Sequence, residues 1–185
     1  MYKTLFSLIL LCTVFLSCKK EQDPFQVSKQ HIGLLTDSTQ VKDLKIIFAT
    51  DSISKFISGD EFAGGINNIE IFKKDGNKLL ILTPEKVLDS TSTIKSIQII
   101  DPQYKTVKGI STLSTFKDIN TAYKISSINN SINSLVISVK ELNASFVIDK
   151  KELPANLRFD INLKFEETHI PDDAKIKYFF LIWND

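Results

Sequence analysis

Cysteine is nearly absent: the 185 residues hold two, Cys12 and Cys18. Both sit near the N-terminus, so no downstream thiol can form a disulfide, hold a metal or act as a nucleophile. Histidine is as scarce. His31 and His169 lie near opposite ends of the chain, and neither has a third ligand at metal spacing. An excess of one charge is also missing, with 23 basic side chains against 22 acidic. That balance speaks against nucleic acid as a partner, and no basic helix offers a contact with a membrane surface. The six glycines form no phosphate-binding loop or dinucleotide pattern, and no G-x-S-x-G occurs. The fold must hold by packing alone.

What is present begins at the N-terminus. Lys3 supplies a short positive region, and Leu5 to Leu16 form an almost unbroken apolar run. That run falls short of the roughly 20 residues needed to span a bilayer and suits the core of a secretory signal. It ends in Phe15-Leu16-Ser17-Cys18, which resembles the lipobox of bacterial lipoproteins. The expectation is a signal peptide over 1–17, cleavage before Cys18, and lipid on that cysteine as the membrane anchor. Residues 18–26, with Lys19, Lys20 and Glu21, read as a polar tether. Lys19, rather than Asp, follows the cysteine, which favours the outer membrane, on its periplasmic side or at the cell surface. Removing 1–17 takes one lysine and no acid, so the remaining chain is balanced in charge.

Residues 27–185 have the length of a single domain. Within it a pattern recurs. Residues 33–53 (GLLTDSTQVKDLKIIFATDSI) and 109–128 (GISTLSTFKDINTAYKISSI) share a glycine, a Ser-Thr pair, a Lys-Asp pair, an aromatic and an isoleucine in one order. Each reads as a short helix capped by Ser or Thr, with Val41, Leu44, Ile47 and Phe48, or Phe116, Ile119, Ala122 and Tyr123, on one apolar face. Strands are expected after the first helix at Ile69–Phe72, Leu79–Thr83 and Ile94–Ile100, with Asp75-Gly76 as a hairpin turn. After the second they are expected at Leu135–Val139, Ala144–Asp149, Arg158–Phe165 and Lys175–Trp183. Phe159, Ile161, Leu163 and Phe165 alternate with polar residues, the mark of a strand wet on one face. The last strand is apolar on both faces, which suggests a central position. The fold class expected is α+β: mostly antiparallel sheet with two short helices, in two similar halves of about 27–101 and 102–185.

The run Val27-Ser28-Lys29-Gln30-His31-Ile32-Gly33-Leu34-Leu35-Thr36 resembles the start of the RpoE-regulated envelope lipoproteins, the YfeY-like family. Gly76-Asn77, the strand Ile94–Asp101, Gly109 with Ser114 to Ile119, Pro171 to Ala174, and Ile182-Trp183 fall in that family's order and spacing. The resemblance covers most of 27–183 and implies a location and a fold rather than a reaction. The extra cysteines of some relatives are missing here, so no disulfide carries over. A fainter similarity links the chain to tandem helix-and-sheet modules, beta-lactamase inhibitor protein and small outer-membrane assembly lipoproteins. Those modules work by binding proteins.

Chemistry-bearing clusters are few. Gly59-Asp60-Glu61-Phe62 shares letters with the nucleotide-cyclase GGDEF signature, but Ser58 precedes it and the chain is expected to be exported, so it reads as a polar loop. Its two adjacent carboxylates fall short of a calcium site. Glu166-Glu167 and Asp172-Asp173 read as solvated acids, since no aromatic sugar platform lies near them in sequence. Asp-Ser triplets at Asp37, Asp51 and Asp89 match a short O-glycosylation acceptor pattern, although Ser38 suits a helix cap. The reading is therefore a non-enzymatic outer-membrane lipoprotein without cofactor or metal. Its expected partners are the membrane, through Cys18, and another envelope component. The alternative is a binder of a small ligand or glycan, in a cleft or on the wet face of the sheet.

Overall fold

A computed structural model describes residues 22–58 and 66–183. Three two-residue strands come first, β1 (Gln26–Val27), β2 (His31–Ile32) and β3 (Leu35–Thr36). A 3-10 turn at Val41–Asp43 leads into helix α1 (Leu44–Ile47). A meander follows: β4 (Ser52–Ser58), β5 (Ile66–Phe72), β6 (Lys78–Pro84) and β7 (Ile94–Ile99). Strand β8 (Lys105–Thr106) and helix α2 (Phe116–Ala122) precede a second meander. It consists of β9 (Ser127–Asn130), β10 (Ser134–Val139), β11 (Ala144–Asp149) and β12 (Ile176–Ile182).

The two meanders form one antiparallel sheet in the order β4-β5-β6-β7-β12-β11-β10-β9. The last strands of each meander pair at the centre, with Phe179 opposite Ile99 and Ile182 opposite Ser96. The fold class is thus α+β, mostly antiparallel with two short helices. The same order of elements, helix then four strands, occurs on each side of the β7–β12 seam.

Alternation explains the sheet. In β10 and β11 every second side chain is buried: Leu135, Ile137 and Val139, then Ala144, Phe146 and Ile148. Ile69, Ile71, Leu80, Leu82, Ile97, Ile99, Phe179 and Leu181 continue that face. Val27, Ile32 and Leu35 of the small sheet, Leu44 of α1, and Phe116 and Ile119 of α2 join them in one core. Among the described residues only one face of the large sheet is covered in this way.

α2 has the expected cap. Thr115 Oγ1 accepts from the Asp118 N–H while the Asp118 carboxylate accepts from the Thr115 N–H. α1 does not: its approach residue Gln40 makes no side-chain cap, and Thr39 Oγ1 instead accepts from the Thr36 N–H at 2.9 Å. Ser38 and Thr39 therefore stabilise a turn ahead of the helix.

Four expectations need correction. Arg158–Phe165 is not a strand: a 3-10 turn at Ala155–Leu157 leads into an irregular loop with Phe159 and Ile161 exposed. Asp160 Oδ1 accepts from the Asn162 N–H, an Asx-type bend, and Asn130 Nδ2 lies 3.0–3.1 Å from the carbonyls of Asp160, Ile161 and Leu163. Those local bonds replace a ladder. β12 is central as expected, but its two apolar faces are not alike: the second is open, with Tyr178 exposed. Asp23 to Gln26, placed in the tether by sequence, are tied to the body, since the Lys105 N–H donates to Phe25 O at 3.0 Å and Phe25 packs edge-on against Tyr104. The fourth concerns β4 and β9, which Ser, Lys and Asn concealed. The Gly59–Phe62 motif and Cys18 lie outside the described residues.

Candidate interaction surface

The uncovered face of the sheet is built by the same alternation that builds the core. On β12 Tyr178, Phe180 and Ile182 point away from it, the rings of Tyr178 and Phe180 being 6.1 Å apart. Beside them stand Ser145 and Val147 of β11 and Ser96 and Gln98 of β7, all half-buried. Ile81 and Thr83 of β6 extend the face, and Thr83 Oγ1 donates to Asn68 Oδ1 across the strands at 3.0 Å. Charge occurs here as pairs: Lys78 with Glu70 at 2.6 Å, and Lys177 with Asp149 at 2.9 Å. The Lys151 N–H, and then the Lys177 ammonium, hold the Asp149 carboxyl below its ordinary range, and that carboxylate raises Lys177 in turn.

A bulge sets the second pair. Val147 faces Tyr178 while Ile148 faces Ile176, so Lys177 is an extra residue in β12, turned toward Asp149. Bulges re-aim side chains in this way. The face as a whole offers aromatic rings, short hydroxyls and amides with charges already neutralised. That composition suits the core of a protein interface, where aromatics are enriched and unpaired charge is depleted.

The other residues singled out by sequence do not converge. Ser28 Oγ and His31 Nδ1 lie 2.6 Å apart, but the two close one tight turn, in which the Ser28 N–H donates to His31 O. His31 Nε2 is buried without a hydrogen-bond partner, so no acid orients the ring as a catalytic base requires. A cavity of about 740 Å³ beside it is lined by Gln22, Gln26, Gln30, Thr36 and Asp37. His169 Nδ1 accepts from the Glu166 N–H at 3.1 Å, a local turn, while Asp172 pairs with Lys117 at 3.1 Å. Among the described residues no three His, Cys, Asp or Glu gather to hold a metal, and no helix is long and apolar enough to cross a membrane.

No protein-family model and no curated protein matches the chain. A solved structure does: the crystal structure of the uncharacterized protein YfeY from Escherichia coli superposes with a TM-score of 0.58 at 17% identity. The match covers 85% of this chain and 99% of that one. The fold is shared with YfeY. The likeness to YfeY supports the α+β, mostly antiparallel fold expected from the sequence. At that identity it fixes the backbone course and leaves the side chains of the open face to be read from this chain alone.

Sequence reasoning missed most of that face. The wet strand expected at 158–165 is a loop, and β12, expected to be central and apolar on both faces, turns one of those faces to the open side. The alternation of Ser134, Val136 and Ser138 and of Ser145 and Val147 was available as a signal. A face of small hydroxyls between buried aliphatics marks a sheet side left open.

Proposed function

We propose that this chain is a non-enzymatic bacterial lipoprotein of the outer membrane, of the RpoE-regulated YfeY-like kind, that docks another envelope protein on the open face of its sheet. The open face carries the proposal. A large sheet with one face in the core and the other bearing Tyr178, Phe180 and Ile182 presents a patch of the sort that marks an interaction site. Lipid on Cys18 places the domain at a membrane. Only three residues separate Cys18 from Gln22, four steps with a reach of at most about 14 Å, so the domain stays close to the anchor.

The test is photo-cross-linking in cells, with the reactive amino acid at Phe180 or, as a control on the covered side, at the exposed Ile46 of α1. One discrete adduct from position 180, absent from position 46 and lost with Cys18→Ser, is the expected result. Equal labelling from both positions would sink the docking reading.

A second reading, a small-ligand or glycan binder, is favoured by the 740 Å³ cavity with His31 in its wall. Calorimetry with neutral and acidic oligosaccharides separates the two: binding that His31→Ala abolishes and Phe180→Ala leaves intact supports the ligand reading.

A further inference from the structure

The strand ends offer a second site. β7 finishes where β12 begins, and the registers place the end of β11 and the start of β10 at that same end of the sheet. The N-terminal segment attaches there too, since Lys105, just beyond β7, donates its N–H to Phe25 O. The chain therefore enters the body at the same end as the loops that follow β9 and β11.

Between those loops lies a cleft of about 560 Å³. Its cations are Lys150, Lys151, Arg158 and Lys177, with Asp149 as the one carboxylate in its lining, already paired to Lys177. Of these Lys150 is buried with no hydrogen-bond partner for its ammonium, which stands 5.9 Å from the Phe165 ring. Arg158 is held in place by the bond from its Nε to Leu153 O at 2.8 Å. At the rim stand two large apolar side chains in water, Ile132 at 79% exposure and Phe159 at 87%. Ile161, next along the same loop, is 66% exposed. No core requirement puts these residues there: the loop that carries Phe159 and Ile161 is held to β9 by Asn130 through backbone carbonyls.

We infer that this cleft receives the phosphate of an anionic phospholipid headgroup, in the membrane to which the chain is anchored, with Ile132 and Phe159 entering the acyl boundary. Clustered cations attract an anionic surface, and exposed apolar tips enter the interfacial layer. The cations come from three separate segments, so no basic helix exists in the sequence to announce them. This rests on the membrane placement proposed above. It adds an orientation: the domain lies with this end on the bilayer, so the open sheet face meets the membrane only at its Lys177–Asp149 corner.

The test uses the mature chain, residues 18–185, coupled through the Cys18 thiol to a maleimide lipid, so that natural acylation is not required. Phe159→Trp supplies a reporter, and wild type, with Trp183 alone, gives the baseline. Vesicles contain acyl-brominated phosphatidylcholine with or without phosphatidylglycerol. Quenching of the new tryptophan in the phosphatidylglycerol vesicles is expected. Adding Lys151→Glu and Arg158→Glu should shift the docked fraction by about tenfold or more, and high salt should weaken it. No quenching above baseline, or equal quenching in neutral vesicles, overturns the inference. Natural acylation is read separately from labelled fatty acid in cells, so a chain that fails there but quenches in vesicles refutes only the anchoring.

Discussion

The two faces of the central strand lie one residue apart and do opposite work. Phe179 is fully buried and stacks against Phe146, with ring centroids 4.5 Å apart, whereas Phe180 lies on the open face between Ser145 and Gln98. The covered face is almost uniformly aliphatic and aromatic, and apolar burial explains nearly all of it, Lys150 and Asn130 at its end being the polar exceptions. The open face mixes rings with hydroxyls and paired charges, which packing does not explain. Neighbouring residues in a strand can thus be sorted by whether burial accounts for them, as it does on one side and does not on the other.

The largest effect should come from breaking that contrast directly. Phe179→Ala is expected to cost about 3–5 kcal/mol, as for other buried aromatics truncated in a core. Phe180→Ala should cost about 1 kcal/mol or less, yet abolish an adduct formed from a reactive amino acid at position 178 on the same face. Chemical denaturation of the two variants checks this. Similar losses from both would mean that the open face is part of the core.

Lys150 sharpens the contrast from the other side, because it continues the buried positions of β11 as a cation with no hydrogen-bond partner. Lys150→Met removes a desolvation cost of several kcal/mol and loses a cation–π contact of about 1 kcal/mol. A net gain in stability of about 1–2 kcal/mol is expected, visible as a raised unfolding midpoint. A loss would show that the ammonium is needed where it stands.

A smaller effect compares the two helices. Thr115→Ala should cost about 1 kcal/mol, the value of an N-cap. Ser38→Ala should stay within about 0.5 kcal/mol, since its hydroxyl reaches only Thr36 Oγ1 at 3.1 Å. Equal costs would restore the symmetry that the sequence suggested.

That pair also shows what was legible. Both helix faces were readable because 3.6-residue spacing is a strong signal and Val41, Leu44, Phe116 and Ile119 obey it. The cap on α1 was not, because a Ser-Thr pair bonds a turn as readily as a helix start. Strands β5, β6, β7, β10, β11 and β12 were readable from aliphatic runs. β4 and β9, at the sheet edges, need fewer apolar residues and so looked like loops, while 158–165 alternated like a strand without an edge to pair with. The cleft at the strand ends was invisible because Lys151, Arg158 and Lys177 meet only through topology and a bulge.

The last contrast is between tyrosines, and it is tested by pH. Tyr104 is buried at the end where the chain enters the body, edge-on to Phe25 at 5.3 Å. Burial pushes its phenol well above the ordinary value, and Asp51 and Asp101 add to the rise. The fold therefore favours the neutral form. With a folded value raised above the unfolded one, the associated stability is complete below the unfolded pKa of about 10 and is lost as pH climbs above it. Tyr104→Phe carries no such proton. Its unfolding midpoint should run parallel to wild type up to about pH 9 and then fall less steeply. Parallel curves through the alkaline range would mean that the phenol meets water on ionisation, and that the contact between Phe25 and Tyr104 opens before the rest of the core.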